Sequence, residues 1–213
     1  MSCEVHEKIG KFAVVPVVAI DDADAAVPLA DALIAGGLPV AEITFRTEAG
    51  AGAMKKLKLQ RPEIMLGAGT ILTVDNLRRA RDCGATFGVA PGFNTKVAEE
   101  ALKLGFPFSP GVMTPSDVEA ALAMGLTVLK FFPAEACGGL KMLKALAGPY
   151  GHTGVKFIPT GGVNAGNFLE YLALDAVLAV GGSWVAKRND IAAANWDKIK
   201  ANCREISELR KGR

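Results

Sequence analysis

Short apolar runs rich in Val, Ile and Phe alternate along the chain with longer segments of helical period. Eight of these runs are predicted to form strands. They occupy residues 14–20, 40–45, 64–69, 86–91, 106–111, 127–132, 155–160 and 176–181. A helix-like segment comes after each run, and glycine follows several of those segments, as the ends of helices prefer. The pattern therefore predicts eight consecutive strand–helix units.

This order of elements favours one α/β domain over residues 1–213, a closed (β/α)8 barrel of the TIM type. No linker or low-complexity segment divides the chain. The rival architecture is a doubly wound open sheet, which usually has fewer strands at this length. Such a sheet would carry G-x-G-x-x-G after its first strand, and the sequence has no such motif there. The stretch T-P-S-D at 114–117 also predicts a helix start, with Thr114 as N-cap and Pro115 in the first turn.

The second predicted strand has a polar face that would point into the barrel. Glu42, Thr44 and Arg46 alternate with apolar residues, which suit the side that faces the helices. Four residues of strand separate the backbones of Glu42 and Arg46 by ~13 Å. The two side chains can therefore serve different parts of one substrate, with Arg46 nearer the mouth. The alternative is an internal salt bridge that only fills the barrel.

A lysine lies in the middle of the sixth apolar run, where L-T-V-L-K-F-F spans residues 126–132. Burial of an ammonium ion is costly and favours the neutral amine that a nucleophile needs, whereas a nearby carboxylate favours the charged form. If its face of the strand points inward, Lys130 lies beside Glu42 and is a candidate nucleophile. The alternative is a structural lysine paired with a carboxylate. Lys156 is the competing lysine, but it lies at the start of its strand and is interpreted as structural.

Active sites of such barrels lie at the carboxyl ends of the strands. The third and fourth strands end near Thr70 and Pro91, and P-T-G-G and G-G-S-W follow the seventh and eighth. Loops after the last two strands usually bind phosphate in this fold, and successive backbone N–H groups make an anion nest. Besides Lys130, Glu42 and Arg46, the candidate site residues are Thr70, Pro91, Phe132, Thr160, Gly161, Gly162, Gly182 and Ser183.

Composition and charge exclude several classes of function. The 24 basic and 22 acidic residues leave a net charge of +2, which argues against a nucleic-acid-binding surface. No stretch approaches the ~18 apolar residues of a membrane span, and the N-terminus lacks a signal-peptide core. The four cysteines form no C-x-x-C, and the two histidines are far apart, so a metal site of ordinary spacing is unsupported. We expect reduced thiols and a cytoplasmic protein.

The motifs taken together resemble the 2-keto-3-deoxy-6-phosphogluconate (KDPG) and 2-keto-4-hydroxyglutarate (KHG) aldolase family. The matching text runs in order across nearly the whole chain: VVPV (14–17), AEITFRT (41–47), GAGTI (67–71), APGF (90–93), SPGVMTPSD (109–117), LKFFPAEACGG (129–139), LAGPYG (146–151), PTGGV (159–163) and VGGSW (180–184). The K-F-F-P-A-E segment together with E-x-T-x-R-T is highly specific to this family.

The resemblance implies a class I aldolase without metal or cofactor, which forms a Schiff base between Lys130 and a phosphorylated 2-keto acid. It implies Glu42 as general acid/base, with Arg46 and Thr70 holding the pyruvate carboxylate. Family members are typically homotrimers. The positions that match residues lining the site or binding phosphate are Pro91, Phe132, Gly161, Gly162 and Ser183.

Three other functions remain open from the sequence. The first keeps the chemistry but changes the substrate, to 2-keto-4-hydroxyglutarate or to the galactonate epimer of the phosphorylated substrate. The second is a phosphate-binding barrel without lyase activity, against which the retention of both Lys130 and Glu42 argues. The third is a metal-dependent class II aldolase, which the lack of a ligand cluster disfavours.

Overall fold

The computed structural model describes residues 2–211, with side chains from residue 4 to residue 210. Its nine strands are β1 Val14–Val18, β2 Val40–Thr44, β3 Met65–Gly69, β4 Phe87–Val89, β5 Phe108–Ser109, β6 Gly111–Val112, β7 Val128–Phe131, β8 Lys156–Phe157 and β9 Val180–Gly182. Its ten α-helices are α1 Ser2–Phe12, α2 Ala26–Ala35, α3 Ala49–Gln60, α4 Val74–Asp82, α5 Thr95–Lys103, α6 Pro115–Ala123, α7 Gly139–Ala147, α8 Phe168–Leu172, α9 Arg188–Ala192 and α10 Trp196–Lys211.

The strands form a curled, parallel sheet with helices on its outer side, an α/β fold. Six strands are hydrogen-bonded in the order β5-β4-β3-β2-β1-β9, and three more in the order β6-β7-β8. All of the pairs are parallel. The last strand, β9, therefore lies beside the first, and the chain reaches its neighbours through helical crossovers.

The fifth predicted strand, residues 106–111, is divided by Pro110 into β5 and β6. Proline has no N–H to donate to a ladder, but the Pro110 carbonyl still accepts from the Lys130 N–H at 2.8 Å. Thus β5 pairs with β4 while β6 pairs with β7. One extended segment consequently contacts both parts of the sheet.

The last two predicted strands are shorter than the sequence indicated. Of residues 155–160 only Lys156–Phe157 forms β8, although the Thr160 N–H still donates to the Phe131 carbonyl of β7 at 2.9 Å. Of residues 176–181 only the end belongs to β9, Val180–Gly182. Two isolated parallel bridges, Phe157 to Val177 and Thr160 to Gly181, still join the two segments.

The apolar faces of the strands pack against the helices as the alternation in β2 predicts. Ala41 and Ile43 are fully buried on that side. The predicted helix start at 114–117 is confirmed. The Thr114 hydroxyl accepts from the Asp117 N–H at 3.2 Å, and Asp117 accepts from the Thr114 N–H at 2.9 Å, a capping box that fixes the start of α6.

Candidate active site

A cavity of about 340 Å³ opens at the carboxyl ends of the strands. All eleven candidate residues line it: Glu42, Arg46, Thr70, Pro91, Lys130, Phe132, Thr160, Gly161, Gly162, Gly182 and Ser183. The structure thus brings together residues from six different strands or the loops that follow them. Three lining residues were not among the candidates: Val17, Thr44 and Val163. Thr44 lies on the same face of the strand as Glu42 and Arg46, so the alternation could have added it to the candidates.

At the base of the cavity Lys130 of β7 meets Glu42 of β2. The Lys130 Nζ donates to the two carboxylate oxygens of Glu42 at 3.1 and 3.3 Å, and the two side chains are only 7% and 5% exposed. The Nζ also lies 5.7 Å from the centre of the Phe132 ring. The amine is thereby placed beside a proton acceptor and next to open space.

Gly69 leaves the room that the Glu42 carboxylate occupies. A Cβ at Gly69, the last residue of β3, would lie 2.1 Å from Oε1 of Glu42. Real Cβ atoms do not approach other atoms so closely, so any side chain at this position would displace the carboxylate from Lys130. The glycine in G-A-G-T therefore has a positioning consequence that the sequence did not show.

The internal salt bridge between Glu42 and Arg46, one alternative from the sequence, does not form, because Glu42 pairs with Lys130. The Arg46 Nε instead donates to the Thr44 hydroxyl at 3.2 Å, and that hydroxyl donates to the Val18 carbonyl at 2.9 Å. Thr44 is 1% exposed. Among the described residues Arg46 has no carboxylate partner, so its guanidinium is available to a substrate carboxylate, which its fork fits in a bidentate way.

Gly161 and Gly162 also line the cavity, in the loop that follows β8. Their φ angles are 97° and 84°, in the left-handed region that glycine tolerates. The Gly161 carbonyl accepts from the Glu135 N–H at 2.9 Å, and the Gly162 carbonyl accepts from the Asn164 side chain at 3.0 Å. Within residues 2–211 neither glycine N–H has an acceptor. Two adjacent free N–H groups can bind an anion without a charged side chain.

Thr70 adds a second unusual backbone conformation to the site. Its φ of 60° is uncommon for a residue with a Cβ, and such conformations concentrate at functional sites. Lys156, the competing lysine, lies outside the cavity: its Nζ donates to the Asp175 carbonyl at 2.6 Å. The interpretation of Lys156 as structural agrees with this placement.

Two further features of the described part of the chain concern metal binding and membrane association. No group of three or more His, Cys, Asp or Glu side chains that could hold a metal ion occurs there. None of the described helices is both long enough and apolar enough to span a membrane.

Residues 5–202 match the family model described as KDPG and KHG aldolase. The chain belongs to this family. A relative from Haemophilus influenzae, named 2-dehydro-3-deoxy-phosphogluconate aldolase, is 45% identical over 206 residues, which cover 97% of this chain and 96% of that protein. The resemblance of the motifs to the KDPG and KHG aldolase family is thus confirmed.

Two solved KDPG aldolases share the fold closely. The one from Legionella pneumophila, with pyruvate captured at low pH as a covalent carbinolamine intermediate, has a TM-score of 0.91 and 38% identity, covering 97% of this chain and 98% of that one. The one from Zymomonas mobilis, with 3-phosphoglycerate, has a TM-score of 0.86 and 38% identity, covering 97% and 94%.

Proposed function

We propose that this protein is a class I aldolase that cleaves 2-keto-3-deoxy-6-phosphogluconate to pyruvate and glyceraldehyde 3-phosphate, as in the Entner-Doudoroff pathway. The observation that carries the proposal is the buried contact between Lys130 and Glu42 in a cavity that Gly161 and Gly162 also line. The family match, and the covalent carbinolamine that pyruvate forms in the Legionella enzyme, support it.

Lys130 is proposed as the nucleophile. Its neutral amine adds to C2 of the keto acid, and loss of water gives an imine. In the protonated imine the electrons of the C3–C4 bond flow toward nitrogen as the C4 hydroxyl loses its proton. The bond breaks, glyceraldehyde 3-phosphate leaves, and pyruvate remains on Lys130 as an enamine. Protonation at C3 and addition of water then release pyruvate and restore the amine.

Glu42 is proposed as the proton shuttle for these steps. Its carboxylate is within hydrogen-bond distance of the Lys130 Nζ, at 3.1 Å, so it can take the proton that the amine must lose before attack. The same carboxylate is placed to move protons in dehydration, in deprotonation of the C4 hydroxyl and in protonation of the enamine, directly or through a water molecule. One group near the imine therefore serves several steps.

Substrate binding divides between the two ends of the cavity. Arg46 and Thr70 would hold the carboxylate of the keto acid, and Pro91 and Phe132 would pack against its carbon chain. The phosphate would bind to the N–H groups of the Gly161–Gly162 loop and of the loop after β9, which supply uncharged hydrogen-bond donors. The residues proposed there are Thr160, Gly161, Gly162, Gly182 and Ser183.

We also propose that residues 1–213 form one domain, a closed eight-stranded barrel. Three contacts support closure: β9 beside β1, the shared segment of β5 and β6, and the bridges from Phe157 to Val177 and from Thr160 to Gly181. The resemblance implies a homotrimer, and the cysteine pattern predicts a cytoplasmic location; both remain predictions. The molar mass of the protein in solution, measured by light scattering, tests the trimer.

Reductive trapping tests the proposed chemistry. Borohydride treatment with pyruvate should add a reduced pyruvyl group to the peptide that contains Lys130, and Lys130→Met should abolish the adduct. Lys156→Met is the matched control, because that lysine lies outside the cavity, and its adduct should equal that of the wild type. An adduct on Lys156 instead would refute the assignment, and activity lost with EDTA and restored by zinc would indicate class II chemistry.

A second candidate substrate is 2-keto-4-hydroxyglutarate, which the same imine chemistry would cleave to pyruvate and glyoxylate. The galactonate epimer of the phosphorylated substrate is a third. The two free N–H groups of the nest favour a phosphorylated substrate. The ratio of kcat/KM among the three compounds decides between them, and a preference for 2-keto-4-hydroxyglutarate would contradict the proposed substrate.

A further inference from the structure

The segment that follows β7, the strand of Lys130, is hydrogen-bonded to the residues at the start of the Gly161–Gly162 loop. The Ala134 N–H donates to the Thr160 carbonyl at 2.8 Å, and the next N–H, of Glu135, donates to the Gly161 carbonyl at 2.9 Å. Glu135 lies five residues after Lys130 in the chain. A short piece of backbone therefore links the proposed nucleophile to the proposed phosphate-binding loop.

The side chain of Glu135 packs against the loop as well. A Cβ on Gly162 would lie 2.5 Å from both Cβ and Cγ of Glu135. The methylene groups of Glu135 therefore fill the space that a side chain at position 162 would need. They pack against the loop on the side where Gly162 lacks a side chain. Gly162 has a φ of 84° in this arrangement.

The carboxylate of Glu135 is held by Tyr171. The Tyr171 hydroxyl donates to Oε1 of Glu135, and Tyr171 is only 1% exposed on α8. Burial, together with the hydrogen bond to Glu135, raises the pKa of Tyr171, so the hydroxyl stays a donor at every physiological pH. On another side a Cβ at Gly139 would lie 3.3 Å from the same oxygen. The charge is thus fixed against Tyr171 and the start of α7, while the methylenes contact the loop.

This arrangement affects the repulsion between the Glu135 carboxylate and a bound phosphate. A free carboxylate beside an anion site would repel a phosphate, because two like charges a few ångströms apart destabilise each other. We propose that Glu135, held by Tyr171, is a positioning residue that fixes the Gly161–Gly162 loop for the phosphate of the substrate while keeping its own charge turned away. The inference rests on the proposed function, because it assigns the loop to the phosphate of that reaction.

Three variants test the contributions of the Glu135 side chain, its negative charge and its hydrogen bond from Tyr171. Glu135→Ala removes the Cγ methylene together with the carboxylate and should raise KM for the phosphorylated substrate by about tenfold, the usual worth of one lost packing or hydrogen-bond contact. Tyr171→Phe releases the carboxylate and should raise KM by a similar factor. Glu135→Gln keeps the methylenes and an acceptor for Tyr171, so it should restore KM to within about twofold of the wild type.

A positioning role is distinguished from a general loss of stability by comparing each variant's activity on the phosphorylated substrate with its activity on substrates that lack a phosphate. Cleavage of 2-keto-4-hydroxyglutarate and exchange of pyruvate methyl protons with deuterated water should change less than twofold in Glu135→Ala and Tyr171→Phe. Tyr150 and Glu119 offer a matched control, since this hydroxyl–carboxylate pair, at 2.9 Å, lies outside the cavity. Tyr150→Phe and Glu119→Ala should leave KM for both substrates unchanged.

Several results would overturn the inference. Unchanged KM for the phosphorylated substrate in Glu135→Ala would show that the contact does not position the loop. Equal losses on both substrates and on proton exchange would make the role purely structural. Loss of proton exchange in Glu135→Gln would make Glu135 a proton-transfer group. If the wild type traps no pyruvate with borohydride, the proposed function fails instead, so the two failures are distinguishable.

Discussion

The substitution Glu42→Gln separates a proton shuttle from a residue that only balances a buried charge. The amide keeps the size of the side chain and one acceptor oxygen for the Lys130 Nζ, but it cannot exchange protons. The contact to be altered is well defined, because Nζ lies 3.1 and 3.3 Å from the two oxygens and both side chains are at most 7% exposed.

The two roles predict different effects: a charge-balancing role predicts a loss of stability, and a shuttle role predicts a loss of turnover. Removing one partner of a buried ion pair costs ~3–5 kcal/mol. We expect the lower end, about 3 kcal/mol, because the amide oxygen still accepts one hydrogen bond and the cavity admits water. At the usual scaling of Tm with stability for 150–250 residues, this loss lowers Tm by ~6–12 °C. Loss of a positioned acid/base group instead lowers turnover by ~10²–10⁴.

Exchange of pyruvate methyl protons with deuterated water measures the shuttle without the cleavage step. In the proposed mechanism the exchange needs the imine on Lys130 and a base that removes a proton from C3. We expect Glu42→Gln to be folded and nearly inactive in exchange, and Lys130→Met to be inactive. Glu119→Gln is the surface control and should behave as the wild type. Near-normal exchange in folded Glu42→Gln would refute the shuttle and direct attention to water or to Glu135.

Three further outcomes follow from the geometry. Gly69→Ala should lower proton exchange at least tenfold, because its Cβ would lie 2.1 Å from Oε1 of Glu42; normal exchange would contradict that contact. Thr44→Val removes the hydroxyl that orients Arg46 and should raise KM for pyruvate exchange by about tenfold with little change in kcat; an equal fall in kcat would point to a wider disturbance. Burial raises the pKa of Cys203 to about 12, so at pH 8 its thiol should resist alkylation until the protein unfolds; rapid labelling of the native protein would refute this.

Much of the site could be predicted from the sequence because side chains alternate along a strand and parallel α/β sheets place their chemistry at the carboxyl ends of the strands. Alternation put Glu42 on the inner face of β2 and Arg46 on the same side just beyond its end, and the apolar neighbours of Lys130 marked it as unusual. The glycine pairs indicated backbone N–H groups at the loops after the last strands. These are local properties, and each is encoded within a few residues.

The tertiary structure decided which of these local features meet. Glu42 and Lys130 are 88 residues apart, and only the curl of the sheet brings β2 opposite β7, so the sequence left open whether Glu42 would pair with Arg46 or with Lys130. The Tyr171–Glu135 contact and the space that Gly69 leaves for Glu42 were not predicted either, since both join separate strands or helices. The strand ends were also missed, because they depend on which strands pair, as at Pro110, where one segment is divided between β4 and β7. Alternation and turn chemistry are written within one element, whereas contacts between elements depend on how the whole sheet curls and packs.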